Sequence, residues 1–101
     1  MPEALSAAEV FTRAAELPGW ELDEDGTVLR RTYRLAHLPA AILAVHIAQI
    51  QDELNHHSDL LLGYDSLAVT LTTHAAGARI TEADFELAHR IGEAAVAHGA
   101  H

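Results

Sequence analysis

Apolar and polar positions along this chain repeat with two periods, and the switches between them mark seven elements. Behind Ser6, the run Val10, Phe11, Ala14 and Leu17 recurs at helical spacing. "SAAE", beginning at Ser6, is a capping box with Glu9 at the third helical position, so a helix starts there and ends at Pro18-Gly19. Trp20 to Leu22 predicts a short strand, and "DEDG", residues 23–26, is turn chemistry. From Thr27 to Leu35 the period drops to two: Leu29, Tyr33 and Leu35 share one parity, Thr32 and Arg34 the other. Two such runs around a tight turn predict a β-hairpin.

The stretch "HLPAAILAVHIAQIQDELNHH" returns to helical period, with Pro39 near its start, where proline is tolerated. Leu43, Ile47, Ile50 and Leu54 form one stripe, while Ala41, Ala44, Val45 and Ala48 make a second, small-residue face. One sheet surface cannot cover both. The pattern predicts one face on the sheet and the other on a partner subunit. The alternative is that the alanines are there as good helix formers. "LLLGY", 60–64, is a short apolar segment. "SLAVTLTTH", 66–74, predicts a strand, with Leu67, Val69 and Leu71 on one face and Ala68, Thr70, Thr72 and His74 on the other. "AAGAR" is a loop, "TEAD" at 81–84 a second capping box, and Phe85, Ala88, Ile91 and Ala95 the core face of a last helix.

The order is therefore α-β-β-α-β-β-α, with no repeat, linker or low-complexity segment. It predicts an α+β two-layer sandwich, a four-stranded, mostly antiparallel sheet with three helices on one face. At 101 residues the chain is expected to be one domain, residues 1–101, with one core.

Charge narrows the function. The formal net charge is −9 with histidine neutral, which disfavours nucleic acid and anionic membrane surfaces as partners. There is no cysteine, so disulfides, thiolate metal sites and cysteine nucleophiles are excluded. No apolar run approaches the roughly 20 residues of a membrane span. "MPEALSAAEV" lacks the basic start of a signal peptide, and a cytoplasmic protein is expected.

Histidine is the unusual feature, with eight in the chain. In "ELNHHSD", residues 53–59, His56 and His57 are adjacent. Adjacent side chains diverge on a regular element, by roughly 100° on a helix. They serve one pocket only if the chain leaves the helix there. Asn55 and Ser58-Asp59 are residues that do this. The next strand then delivers His74 at its end, so three imidazoles could surround one cavity. Three histidines suggest zinc, yet an adjacent pair is a poor chelate. Acid–base chemistry suits the arrangement better, because one imidazole can donate a proton while another accepts one. Solvated polarity at a helix end is the plainest reading. His37, His46, His89, His98 and His101, being single, are expected at the surface or an interface.

Asp52, His56, His57, Ser58, Tyr64, His74 and Asp84 together resemble the signature of the pterin-4a-carbinolamine dehydratases. "LPGWELDEDGTVLRRTYRL", "TLTTH" and "DFELA" are similar to other parts of that family, so the resemblance runs from about Leu17 to Ile91. It implies a homodimer or homotetramer of the fold already described. It also implies loss of water from a 4a-hydroxytetrahydropterin to give the quinonoid dihydropterin, in tetrahydrobiopterin recycling, with no metal or organic cofactor. His56 and His57 would be the acid–base residues. His74 would bind or polarise the substrate and could share the proton work. Asp52, at i, i+4 from His56, would orient that ring or hold the pterin's amino-pyrimidine edge. Glu53 has the same relation to His57. Tyr64 is either a substrate-binding residue or an aromatic closing the core, and capping alone accounts for Asp84.

The chain departs from the family pattern in three places. Ser58 stands where proline is usual, Leu60 where a large aromatic is common, and "AAGARIT" where the loop is often glycine-rich, with Arg79 expected near the pocket mouth. Three other functions remain: a non-catalytic dimerisation or assembly module on the same fold, a different hydro-lyase or pterin-binding enzyme, and a histidine metal site.

Overall fold

The computed structural model describes residues 3–101. Three helices and four strands follow in the order α-β-β-α-β-β-α: α1 (Ala7–Ala15), β1 (Glu21–Leu22), β2 (Leu29–Arg34), α2 (His37–Leu54), β3 (Asp59–Leu62), β4 (Ser66–Leu71) and α3 (Glu82–Ala97). A 3₁₀ turn, His74–Ala76, sits between β4 and α3. The sheet order is β1-β2-β4-β3, and every pairing is antiparallel.

Period-two patterning decides which sheet face is covered. Leu67, Val69 and Leu71 of β4, and Leu29 and Tyr33 of β2, are buried. The helices supply the opposing layer: Val10 and Ala14 from α1, Ala40, Leu43, Ile47 and Ile50 from α2, Phe85, Ala88, Ile91 and Ala95 from α3. Removing such side chains from water contributes about 1.5–3 kcal/mol each, apart from the alanines. Thr32 and Arg34, of opposite parity, are exposed.

The strands are shorter than the alternation predicts, for visible reasons. The Asp23 carboxylate accepts the N–H groups of Thr27 and Val28 at 2.8 and 3.0 Å. Those donors are spent on the turn, and β2 starts at Leu29. Trp20 gives its N–H to Leu17 O at 3.3 Å and precedes β1. β4 ends at Leu71, not at His74. Beyond it, Thr73 and Arg79 exchange backbone bonds of 2.9 and 3.3 Å and pinch off the loop that contains His74.

Two apolar expectations also shift. Phe11 lies on the outer side of α1, 71% exposed. On α2 the uncovered face centres on Leu38, Ile42 and Val45, while Ala41 and Ala44 are half-buried. Among the described residues, no helix is long and apolar enough to cross a membrane.

Candidate active site

The site is built where α2 stops. Leu54 is its last residue, and Asn55 follows with φ 50° and ψ 42°. This left-handed conformation is cheap for asparagine and costly for branched residues. The helix therefore breaks one residue before the doublet, and His56 and His57 depart in different directions.

His56 turns inward. Its side chain is 13% exposed, and Nε2 lies 2.7 Å from Asp84 Oδ1. A carboxylate only accepts, so Nε2 carries the hydrogen and Nδ1 is left for other chemistry. His57 turns outward, 60% exposed, and its Nε2 donates to Asp52 Oδ1 at 3.0 Å. Each ring of the doublet thus has its own carboxylate.

Asp84 is fully buried, and its neighbours explain how. Oδ2 accepts the Thr81 N–H at 2.9 Å and the Thr73 hydroxyl at 2.7 Å. The Thr73 and Thr81 hydroxyls are 2.8 Å apart. Capping therefore occupies one oxygen of Asp84, and the other anchors His56. The end of β4, the start of α3 and the end of α2 meet on this one carboxylate. A buried acceptor of this kind is retained only with its donors in place.

A small cavity of about 110 Å³ opens beside the doublet, lined by His57, Ser58, Asp59, Thr70, Thr72 and His74. Thr70 and Thr72 come from the half-exposed face of β4 and its extension. Typical small-molecule pockets run to about 300–1,000 Å³, so this is a shallow recess. Its chemistry is two imidazoles, a carboxylate and hydroxyls.

The expected site residues fall into place unevenly. His57 and His74 share the recess, while His56 stands off its wall, on Asp84. Asp52 is beside the doublet but serves His57, because the left-handed Asn55 alters the helical phase that would have paired it with His56. Glu53 points elsewhere, accepting from Arg90 at 2.8 Å. Tyr64 is 87% exposed, so it does not close the core, and neither it nor Arg79 lines the recess. Among the described residues, no group of three or more histidine, aspartate or glutamate side chains converges with metal-binding geometry. The other single histidines sit apart: His37 on Gly63 O at 2.9 Å, His46 on His98 at 3.0 Å.

Two contributors are not evident from spacing. Asp84 has a local signal, "TEAD", that accounts for only half of its bonding. Gln51 is 5% exposed and takes the Ser58 N–H on Oε1 at 3.0 Å, with the Ser58 hydroxyl on the same atom. Nothing in the sequence around Gln51 marks it.

Comparison with known proteins places the chain in a family. Residues 3–94 match the family model described as pterin 4 alpha carbinolamine dehydratase. Proteins provisionally named pterin-4-alpha-carbinolamine dehydratases are similar over nearly the whole length. One from Streptomyces coelicolor is 53% identical over 98% of this chain and 97% of its own. Another from Streptomyces avermitilis is 52% identical over 97% and 96%. One from Chloroflexus aggregans is 42% identical over 88% and 94%. A crystal structure of a transcriptional coactivator/pterin dehydratase from Brucella melitensis superposes with a TM-score of 0.85, covering 92% of this chain and 99% of that one. At 23% identity it shows the shared fold alone. By the family model and by near-complete identity-bearing alignment, the chain belongs to the pterin-4-alpha-carbinolamine dehydratase family.

Proposed function

We propose that this protein removes water from a 4a-hydroxytetrahydropterin by histidine acid–base catalysis, giving the quinonoid dihydropterin that a reductase in tetrahydrobiopterin recycling would consume. The observation that carries this reading is the pairing of each doublet histidine with a separate carboxylate, beside a recess that His57 shares with His74. In the reaction the C4a hydroxyl leaves with a proton from one imidazolium. A second imidazole takes the N5 proton as the C4a–N5 double bond forms. Each transfer is worth about 10²- to 10⁴-fold. His57 and His74 reach the substrate from the wall of the recess. His56 acts through Nδ1, its ring fixed from behind by Asp84. Asp52 holds the His57 ring and supplies a carboxylate for the pterin's amino-pyrimidine edge. Glu53 and Tyr64 have weaker support as substrate-binding residues, because one is paired with Arg90 and the other stands in solvent.

The test is a carbinolamine dehydration assay on the purified protein with His56→Ala, His57→Ala and His74→Ala. A loss of about 3 kcal/mol or more of barrier lowering in folded single mutants supports the assignment. Full activity in all three would overturn it. Activity should be indifferent to EDTA, and a chelator-sensitive enzyme would reinstate the histidine metal site.

A homo-oligomer is part of the same reading. Leu38, Ile42 and Val45 are 50–68% exposed on one side of α2, and an apolar stripe on a surface helix favours a partner. That stripe also supports the alternative, a non-catalytic dimerisation or assembly module. Absence of dehydratase activity in a well-folded oligomer would favour it.

A further inference from the structure

We propose that Gln51 is the positioning residue of the histidine doublet: it holds the chain on both sides of His56 and His57 and so decides which ring turns inward. The kinetic consequence rests on the dehydratase reading above; the geometric one does not.

The doublet lies in a gap between regular elements. α2 ends at Leu54, and the β3–β4 register begins with Asp59 opposite Thr70. Residues between them have neither a helical ladder nor a strand partner. Fixing each backbone costs conformational entropy, and something local must offset it. One residue supplies the bonds at both ends. The Gln51 carbonyl accepts the His56 N–H at 3.1 Å. Its side-chain Oε1 accepts the Ser58 N–H at 3.0 Å and also the Ser58 hydroxyl.

The two bonds act differently. The main-chain bond belongs to the helix terminus and survives any side-chain change. The side-chain bond is specific to glutamine at this position. It draws Ser58 back towards the last turn of α2, which closes the loop and points His57 at the recess. Ser58 itself cannot do this, since serine leaves φ free and brings two donors that need an acceptor. With 5% of its surface exposed, Gln51 has little freedom, so its amide is a fixed acceptor. Gln51 lines no cavity wall with the histidines; its effect on chemistry passes through them.

The experiment compares wild type with Gln51→Leu, Gln51→Glu and the double variant Gln51→Leu/Ser58→Pro. Readouts are kcat and KM for carbinolamine dehydration, and nitrogen-15 NMR titration of the His56 and His57 rings. Gln51→Leu should lower kcat by about 10- to 100-fold, with the larger effect on kcat than on KM, because a displaced ring loses alignment more than binding. It should also change the His57 ring nitrogen-15 signals and speed exchange of the His56 Nε2–H. Gln51→Glu keeps an acceptor and should stay within about threefold of wild type. Proline at 58 fixes φ and removes the N–H that lost its partner, so the double variant should recover kcat and both ring signals. If Gln51→Leu does not fold, Ser58→Gly, which loosens the same turn, should show the same loss. The proposal is overturned if Gln51→Leu, or Ser58→Gly in its place, leaves kcat and both ring signals at wild-type values. It is equally overturned if the Gln51→Leu loss is rescued by neither companion. Should wild type lack dehydratase activity, the functional reading fails and the NMR arm alone decides the positioning role.

Discussion

His56 Nε2 sits 2.7 Å from Asp84 Oδ1, while Oδ2 of the same carboxylate accepts the Thr81 N–H that opens α3. One buried side chain thus ties the histidine doublet to a helix cap. Asp84→Asn separates the two roles. The amide keeps an oxygen for the cap, but its NH₂ faces a ring nitrogen that already carries hydrogen. The imidazole must then change tautomer or rotate. Expected is a fall in kcat of about 10²- to 10⁴-fold with little change in stability. Asp84→Ala removes the cap as well and should cost about 2 kcal/mol or more. Denaturant unfolding beside steady-state kinetics separates these outcomes.

Asn55 and Ala78 are the non-glycine residues with positive φ among those described, 50° and 58°. Both flank the recess in sequence. Left-handed backbone costs an alanine roughly 1 kcal/mol or more relative to glycine. Ala78→Gly should therefore stabilise by about 0.5–1 kcal/mol. Asn55→Val should destabilise by about 1–2 kcal/mol and also lower activity, because a branched residue strains the left-handed break from which His56 and His57 diverge. Thermal unfolding and the dehydration assay check both.

Arg13 joins α1 to α3 by a forked pair with Glu82: Nη1 meets Oε2, and Nη2 lies 2.9 Å from Oε1. The guanidinium also lies over the Phe85 ring, 4.4 Å from its centroid. Hydrogen bonding to Arg13, with its positive charge, holds the Glu82 carboxyl below its ordinary 4.5. A carboxyl lowered on folding contributes stability above its unfolded value, and that contribution is lost as pH falls through the folded value. Glu82 is largely exposed, so the pair is worth under about 1 kcal/mol. Wild type should exceed Glu82→Gln by that margin near neutral pH, and the gap should close as pH falls below the ordinary 4.5 and through the lowered folded value. A constant gap down to the acid limit would mean the ion pair is not its source.

Leu38, Ile42 and Val45 share one side of α2 and remain in solvent. If a second copy covers them, Val45→Lys should convert the assembly to monomer, because burying an unpaired ammonium costs several kcal/mol. Fold stability of the monomer should change by less than about 0.5 kcal/mol. Light scattering reads the mass; an unchanged oligomer would move the interface elsewhere on the surface.

Period and punctuation carried most of the architecture. Leu67, Val69 and Leu71 alternate and are buried; Leu43, Ile47 and Ile50 repeat helically and are buried too. Such signals are local, since burial of one face imposes its period on the chain that supplies it. Strand ends were less legible. Asp23 took donors that β2 would have used, and only the folded turn shows that competition.

What the sequence determined by itself was the α-β-β-α-β-β-α order, the buried faces, the helix break at Asn55 and the presence of a histidine doublet with a third histidine downstream. The tertiary structure decided the partners: Asp84 rather than Asp52 for His56, Asp52 rather than Glu53 for His57, Gln51 for Ser58. Asp84 reaches across from another element. Asp52 and Gln51 are near in sequence but change neighbours when one left-handed residue turns the chain. Hydrogen-bond partners are chosen by distance and direction in space, and helical spacing predicts them only while the helix lasts.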